Sequence, residues 1–326
     1  MKHIFRAFVA LVLCFSLVLA LGGCSFIGGG TVEVTFVIGD QAEKISVPYG
    51  DTVSPPLNPK AENRIFCGWY TDSALENEYD FSTPVYRDLT LYAGFVLDGA
   101  AITNEITLSV MPALVTVENV YKTRGGREMT AQGSGFIYKI ENGRAYVLTN
   151  CHVAYAPNGK QTPTVKDYRG EKHIATIYRN PETEEKAISA DYDLAILTFP
   201  YSGNTLKTIP FASQDAVKGE EVISLGSPEN QSHAITFGES LGYRKANVSG
   251  SAPEESNVTF DIIYHTAAIT NGSSGGPLLN GDLALIGVNY AGTLPAEGES
   301  FGRGCAVPLA KVQEFLSLYE AEGFIS

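Results

Sequence analysis

The chain has 326 residues, about right for two domains. Its 23 Lys and Arg stand against 36 Asp and Glu, a formal net charge of −13 with no basic run, which excludes nucleic acid as the main partner. At 44% hydrophobic it can bury a sizeable core, and 33 glycines with 17 Tyr and 16 Phe favour strands and turns over long helices.

Residues 1–24 read as a targeting segment. Lys2, His3 and Arg6 form a basic start, and Ala7–Leu21 is almost wholly apolar over 15 residues. That is short for a membrane span, which needs about 20 residues, and suits the core of a signal peptide. The segment ends in Leu21-Gly22-Gly23-Cys24, which resembles the lipobox of bacterial lipoproteins. The resemblance implies cleavage before Cys24, lipidation of its thiol, and a chain held on the extracytoplasmic face of a cell membrane.

Ser25–Gly30 is a short tether. Residues 31–97 then read as a small β domain. Val32, Val34, Phe36 and Ile38 alternate as a half-buried strand does, and Gly39-Asp40 marks a turn before Ile45-Ser46-Val47. Phe66-Cys67-Gly68-Trp69-Tyr70 carries the sole tryptophan and is expected to form the core of this unit. Asp88–Ala93 is a closing strand. Tyr49-Gly50, Phe66–Asp72, Tyr79-Asp80-Phe81 and Leu89–Ala93 together resemble the internalin B-repeat. That resemblance implies a β-grasp-like fold on a surface protein, acting as a spacer or as a weak binding module for a surface partner.

Residues 98–104 read as a linker, and 105–326 as a second domain. Val110–Val117 is expected to open it as a strand. Gly125-Gly126 and Asn142-Gly143 are turn signals, and Gly133-Ser134-Gly135-Phe136 leads into a strand. Short strands at regular spacing suggest an all-β barrel or sandwich. The last segment differs: Pro308 suits the first turn of a helix, and Val312, Phe315, Leu316 and Tyr319 fall on one helical face. That helix is expected to pack on the last barrel and end near Gly323.

Three stretches meet the needs of nucleophilic catalysis by serine. His152 directly follows the apolar run Ala145–Thr149, and imidazole titrates where a proton can be taken and returned near neutral pH. His173, His233 and His265 show that a histidine alone decides nothing. Asp191 and Asp193 precede the apolar run 194–197, read as lying on one strand face, and either carboxylate could orient the imidazole. Asp193, next to the buried run, is favoured. In Thr270–Leu279, TNGSSGGPLL, small residues permit a tight turn, and Ser274 is the candidate nucleophile with Ser273 its competitor. The N–H groups of Gly272 and Ser274 are the candidate oxyanion donors. Ala268, Ile269, Asn289, Tyr290 and Ala291 form an uncharged candidate pocket, which points to small or medium apolar side chains at the cleaved position.

The order His152, Asp193, Ser274 resembles the trypsin-like serine proteases, and their HtrA (DegP-like) branch in particular. GSGF 133–136, LTNCHV 148–153, DYDLAIL 191–197, GEEVISLGSP 219–228, GSSGGPLLN 272–280 and GCAVPLAKV 304–312 carry that resemblance over about residues 105–320. It implies two packed six-stranded β-barrels with the active site between them, His152 as general base, Asp193 as its orienter and Ser274 as nucleophile. It also implies hydrolysis of protein or peptide substrates with no cofactor and no metal. Ser273 stands where the branch usually has Asn, and the PDZ domain usual in the branch is not read after the helix. The competing reading is a surface binding protein that uses this fold as a scaffold. Of the five cysteines, Cys67, Cys151 and Cys305 follow the leader, at spacings that form neither a disulfide framework nor a metal motif.

Overall fold

The computed structural model describes residues 30–122, 125–155, 162–227, 234–246, 256–293 and 302–319, the side chain of residue 162 excepted. The leader, Cys24, His233 and the expected end of the last helix near Gly323 lie outside the described residues. Contacts divide the chain into two compact units, residues 1–102 and 103–326. Among the described residues no helix is long and apolar enough to cross a membrane.

The first unit is a four-stranded sheet. Its strands are β1 (Thr31–Ile38), β2 (Gln41–Pro48), β3 (Arg64–Tyr70) and β4 (Leu89–Leu97), in the order β2-β1-β4-β3 with β1 and β4 parallel. The two-residue turn at Gly39-Asp40 joins β1 to β2, and Gly39 takes φ +56. Alternation sends Val32, Val34 and Phe36 inward, where Trp69 meets Phe36 edge-on at 4.8 Å and Phe66 at 5.7 Å. Trp69 is therefore the core residue the sequence suggested.

The stretch read as a linker is mostly helical: α1 (Gly99–Glu105) starts on Asp98, whose carboxylate accepts the N–H groups of Ala100 and Ala101 at 3.1 Å each. Helical turns continue through residues 106–113, so the strand expected from Val110 begins only at Leu114. Ile102, Ile106 and Val110 recur every four residues and are all buried. Burial of that one face overrides the strand preference of β-branched side chains.

The second unit holds two barrels. The first is built from β5 (Leu114–Lys122), β6 (Glu128–Glu141), β7 (Arg144–Thr149), β8 (Thr162–Asp167), β9 (Lys172–Ile174), β10 (Thr176–Ile177), β11 (Ile188–Ser189) and β12 (Leu194–Pro200). The one-turn helix α2 (Cys151–Ala154) follows β7. The pairing runs β10-β12-β7-β6-β5-β8-β9, with β11 at the edge of β12. β9 and β10 are one bent strand broken only at Ala175: its first half pairs with β8 and its second half with β12. Counted so, six strands close around Val115, Val117, Ile137, Val147, Val165, Leu197 and Phe199.

The second barrel consists of β13 (Glu221–Gly226), β14 (Ala234–Lys245), β15 (Asp261–His265), β16 (Pro277–Leu279), β17 (Leu285–Gly292) and β18 (Gly304–Pro308), closed in the order β13-β14-β15-β18-β17-β16. Helix α3 (Leu309–Tyr319) follows at once and buries Leu309, Val312, Phe315 and Leu316. Pro308 ends β18 rather than standing inside the helix. The Asp215 carboxylate caps α3 by accepting the Ala310 N–H at 3.0 Å. The all-β double barrel with a terminal helix, expected from the sequence, is the observed architecture.

A candidate active site between the barrels

Asp191 and Asp193 do not lie on a strand. Residues 190–193 form a turn, and β12 starts only at Leu194. Asp193 takes φ +49, a left-handed conformation that Asp tolerates better than most residues. This turns its carboxylate inward, where the residue is 1% exposed. Asp191 faces outward and accepts from Asn257 Nδ2 at 2.9 Å. Spacing could not separate the two acids, and the turn does.

His152 sits on α2, the single turn that follows Asn150. Its backbone N–H donates to Asp193 Oδ1 at 3.0 Å. Its ring Nδ1 lies 2.8 Å from Oδ2 and 3.1 Å from Oδ1. A buried carboxylate can only accept, so Nδ1 carries the proton and Nε2 is left with a lone pair. Asn150 is itself fully buried, and its Nδ2 donates to the Asp193 carbonyl at 2.8 Å, which ties the two elements together.

The serine turn is held open by two left-handed glycines, Gly272 (φ +92) and Gly275 (φ +86). Ser273 is 6% exposed and its Oγ accepts the Thr270 N–H at 3.2 Å, so it is spent on the turn itself. Ser274 Oγ is half-buried and donates to the Tyr290 carbonyl at 3.4 Å rather than to His152. Bonds of this kind often tighten only when substrate binds. The Tyr290 carbonyl is available because Tyr290 is the extra residue of a β-bulge: Asn289 pairs with Ala306 and Ala291 with Cys305. Among the hydrogen bonds of the described residues, neither the Gly272 N–H nor the Ser274 N–H donates to the protein. Two backbone donors are thus left for an incoming oxygen.

Strand β6 brings the two halves together through Ser134, a residue of the GSGF run given no role in the sequence reading. Its N–H donates to the Ser274 carbonyl at 2.7 Å, and its buried Oγ donates to the Gly272 carbonyl at 2.6 Å. The same Oγ accepts the Ser227 N–H at 2.7 Å, and the Ser134 carbonyl accepts Thr149 Oγ1 at 2.7 Å. Beside it, a Cβ on Gly133 would lie 2.6 Å from Val153 and 2.9 Å from the Ser274 carbonyl. Only a glycine lets the residue after His152 and the candidate nucleophile approach the same point on β6.

Asn289, expected on a pocket wall, is fully buried and acts as a clamp. Its carbonyl accepts the Gly275 N–H at 2.7 Å and its N–H donates to the Gly276 carbonyl at 2.9 Å. Its Nδ2 donates to Ser224 Oγ at 3.0 Å, and its Oδ1 accepts from His265 Nε2 at 3.1 Å. Tyr290 is buried as well, while Ala268, Ile269 and Ala291 remain half-buried, with Ile269 against Gly292. The uncharged stretch read as a pocket wall contains a bulge, and its polar members Asn289 and Tyr290 are buried there.

Burial pushes His265 down to about 4. Its folded value is thus below the ordinary imidazole value of about 6.5, so the unfolded chain binds the extra proton first. The stabilisation is complete above about pH 6.5 and is lost as pH falls towards 4, on the order of 3 kcal/mol in all. Urea midpoints should therefore drop over that window, and His265→Gln should show a smaller drop. Equal slopes for the two proteins would refute this assignment.

Among the described residues, one group could hold a metal: Asp167, Glu171 and His173 on the β8–β9 turn. Arg169 already fills the place of a cation there, with Nη2 3.0 Å from Glu171 and 3.5 Å from Asp167. Two backbone N–H groups further hold the Asp167 carboxylate below its ordinary range. Cys151 and Cys305 are buried and outside any disulfide, and burial pushes Cys305 up to about 11.

Residues 133–288 match the trypsin-like peptidase domain, and residues 29–94 the Listeria-Bacteroides repeat domain. The serine protease Do-like HtrA of Bacillus subtilis (strain 168) is 34% identical over 185 residues, 55% of this chain and 37% of its own length. A probable periplasmic serine endoprotease DegP-like of Pseudomonas fulva (strain 12-X) is 32% identical over 205 residues, 62% of this chain and 38% of its own length. The matches therefore span well under half of these relatives. The Rv3671c protease of M. tuberculosis, in the crystal structure of its active form, shares the fold with a TM-score of 0.54 at 22% identity, over 70% of this chain and 90% of that one.

Proposed function

We propose that this chain, which carries a trypsin-like peptidase domain, is a serine endopeptidase in which Ser274, His152 and Asp193 act as a triad. The observation that supports it most is the 2.8 Å bond from His152 Nδ1 to the buried Asp193 carboxylate, on the far side of the ring from Nε2. Ser274 Oγ attacks the peptide carbonyl while His152 Nε2 takes its proton, and Asp193 stabilises the imidazolium. The N–H groups of Gly272 and Ser274 receive the oxyanion. His152 then protonates the leaving amine, and water repeats the cycle on the acyl-enzyme.

The half-buried Ala268, Ile269 and Ala291 give the cleaved position a preference for small or medium apolar side chains. Substrates are extracytoplasmic proteins, misfolded ones among them, in keeping with the periplasmic relative. Cleavage before Cys24 and lipidation there tether the enzyme to the membrane, which rests on the run Leu21–Cys24 behind a basic, apolar leader. The repeat domain at residues 31–97 is then a spacer between membrane and protease, or a contact for a surface partner.

The Ser274 hydroxyl turned to Tyr290 is what favours the competing reading of a catalytically weak scaffold. A fluorophosphonate probe separates the two. Wild type should label at one serine, and Ser274→Ala should not label. An unlabelled wild type, or labelling that survives Ser274→Ala, would defeat the triad assignment.

A further inference from the structure

The turn that carries Asp193 has little to hold it from within. One backbone bond closes it, from the Asp193 N–H to the Ala190 carbonyl at 3.1 Å, and Asp193 keeps its left-handed φ of +49. Such a conformation persists only where the surroundings over-determine it. Besides the His152 bonds to the carboxylate, three holds from outside the turn supply this. Asn150 grips the Asp193 carbonyl. Asn257 donates its N–H to the Ala190 carbonyl at 2.8 Å and its Nδ2 to Asp191. The third comes from helix α3. Tyr192, between the two acids, donates its hydroxyl to Glu314 Oε1 at 2.6 Å. Its ring rests against Phe315 at 5.8 Å and Phe260 at 6.1 Å.

We infer that Tyr192 and Glu314 are positioning residues, through which helix α3 fixes the turn that aims the Asp193 carboxylate at His152. This rests on the triad proposed above. The helix is a suitable anchor because it is tied elsewhere at two points. Asp215 holds its first turn, and the carbonyl of Tyr319, its last described residue, accepts Asn180 Nδ2 at 2.9 Å. Lys311 Nζ lies 2.6 Å from Glu314 Oε2 and keeps that carboxylate charged as an acceptor. The bond to Glu314 in turn pushes the Tyr192 hydroxyl up to about 12, so it stays a donor throughout the working range of pH. The Tyr192–Glu314 bond is exposed, and such bonds contribute little to global stability. Its consequence is therefore to be read in the catalytic step rather than in melting.

The test uses purified wild type with Tyr192→Phe, Glu314→Ala, the double variant and Glu314→Gln. Each is assayed on a fluorogenic peptide with a small apolar residue at the cleaved position, and with the fluorophosphonate probe. Each of Tyr192→Phe and Glu314→Ala should lower kcat about tenfold with KM within about twofold, a fraction of the hundredfold loss that an ångström of misplacement can cause. The double variant should lose no more than either single one. Glu314→Gln, which still accepts from Tyr192, should recover most of the rate. Unchanged kcat in the single variants, or losses that track melting temperature or KM instead, would overturn the inference while leaving the triad standing. A wild type that does not react with the probe would overturn both.

Discussion

Asp193→Asn should lower kcat by about 10⁴-fold while the protein stays folded, the scale seen when a triad carboxylate becomes an amide. The reason lies in the two bonds that the carboxylate accepts from His152. An asparagine can keep the bond from the His152 backbone N–H by turning Oδ1 to it. Its Nδ2 then faces the imidazole Nδ1 as a donor where Oδ2 had been an acceptor. The ring must shift its proton to Nε2, and Nε2 can no longer take the proton of Ser274. Asp191→Asn is the matched control, because an asparagine oxygen there can still accept the Asn257 amide and so keep that hold on the turn. Steady-state kinetics and melting curves on both variants decide the matter. An Asp193→Asn enzyme within tenfold of wild type, or an equal loss in Asp191→Asn, would reject Asp193 as the orienting acid.

Gly275→Ala should cost more than a hundredfold in kcat/KM and also lower the melting temperature. An added Cβ would lie 2.1 Å from the Ser134 carbonyl and 2.5 Å from Thr149 Oγ1, distances no real contact shows. The turn cannot simply back away, since the Gly275 N–H is held by the Asn289 carbonyl and the Ser274 carbonyl by the Ser134 N–H. Something must move by roughly an ångström, and Ser274 is the next residue. The φ of +86 adds a separate strain of about 1–2 kcal/mol for any L side chain. Gly126→Ala isolates that second part: φ is +77 there, with nothing within 4 Å of the added carbon. It should be slightly destabilised and fully active. A Gly275→Ala enzyme that behaves like Gly126→Ala would mean the turn does not fix the nucleophile.

Much of this was legible in the chain because local pattern and global packing agree. Val32, Val34 and Phe36 alternate and are buried in alternation, and Val312, Phe315 and Leu316 share a helical face and are buried together. What stayed hidden depends on direction rather than on type. Asp191 and Asp193 have the same chemistry and nearly the same address, and a positive φ separates them. Ser273 and Ser274 differ in that one hydroxyl is used up by Thr270. Asn289 reads as an uncharged pocket residue until a bulge at Tyr290 sends its amide inward to His265 and Ser224. Ser134 carried a signal that could have been used: a serine between two glycines on a strand has its hydroxyl free for a close neighbour. The strand expected at Val110 begins later for another reason: the spacing by four at Ile102, Ile106 and Val110 buries one helical face and overrides the β-branched residues around it.

Ser134 binds the carbonyl of Gly272 across 138 positions of sequence. A ribosome makes the chain from the amino end, so the strand bearing Ser134 is synthesised long before Gly272 and Ser274. His152 and Asp193 precede Ser274 in the chain, and the turn that carries Ser274 is held both by Asn289 and by docking on β6. On the triad proposed above, peptide hydrolysis therefore waits until the turn that carries Ser274 has docked on β6.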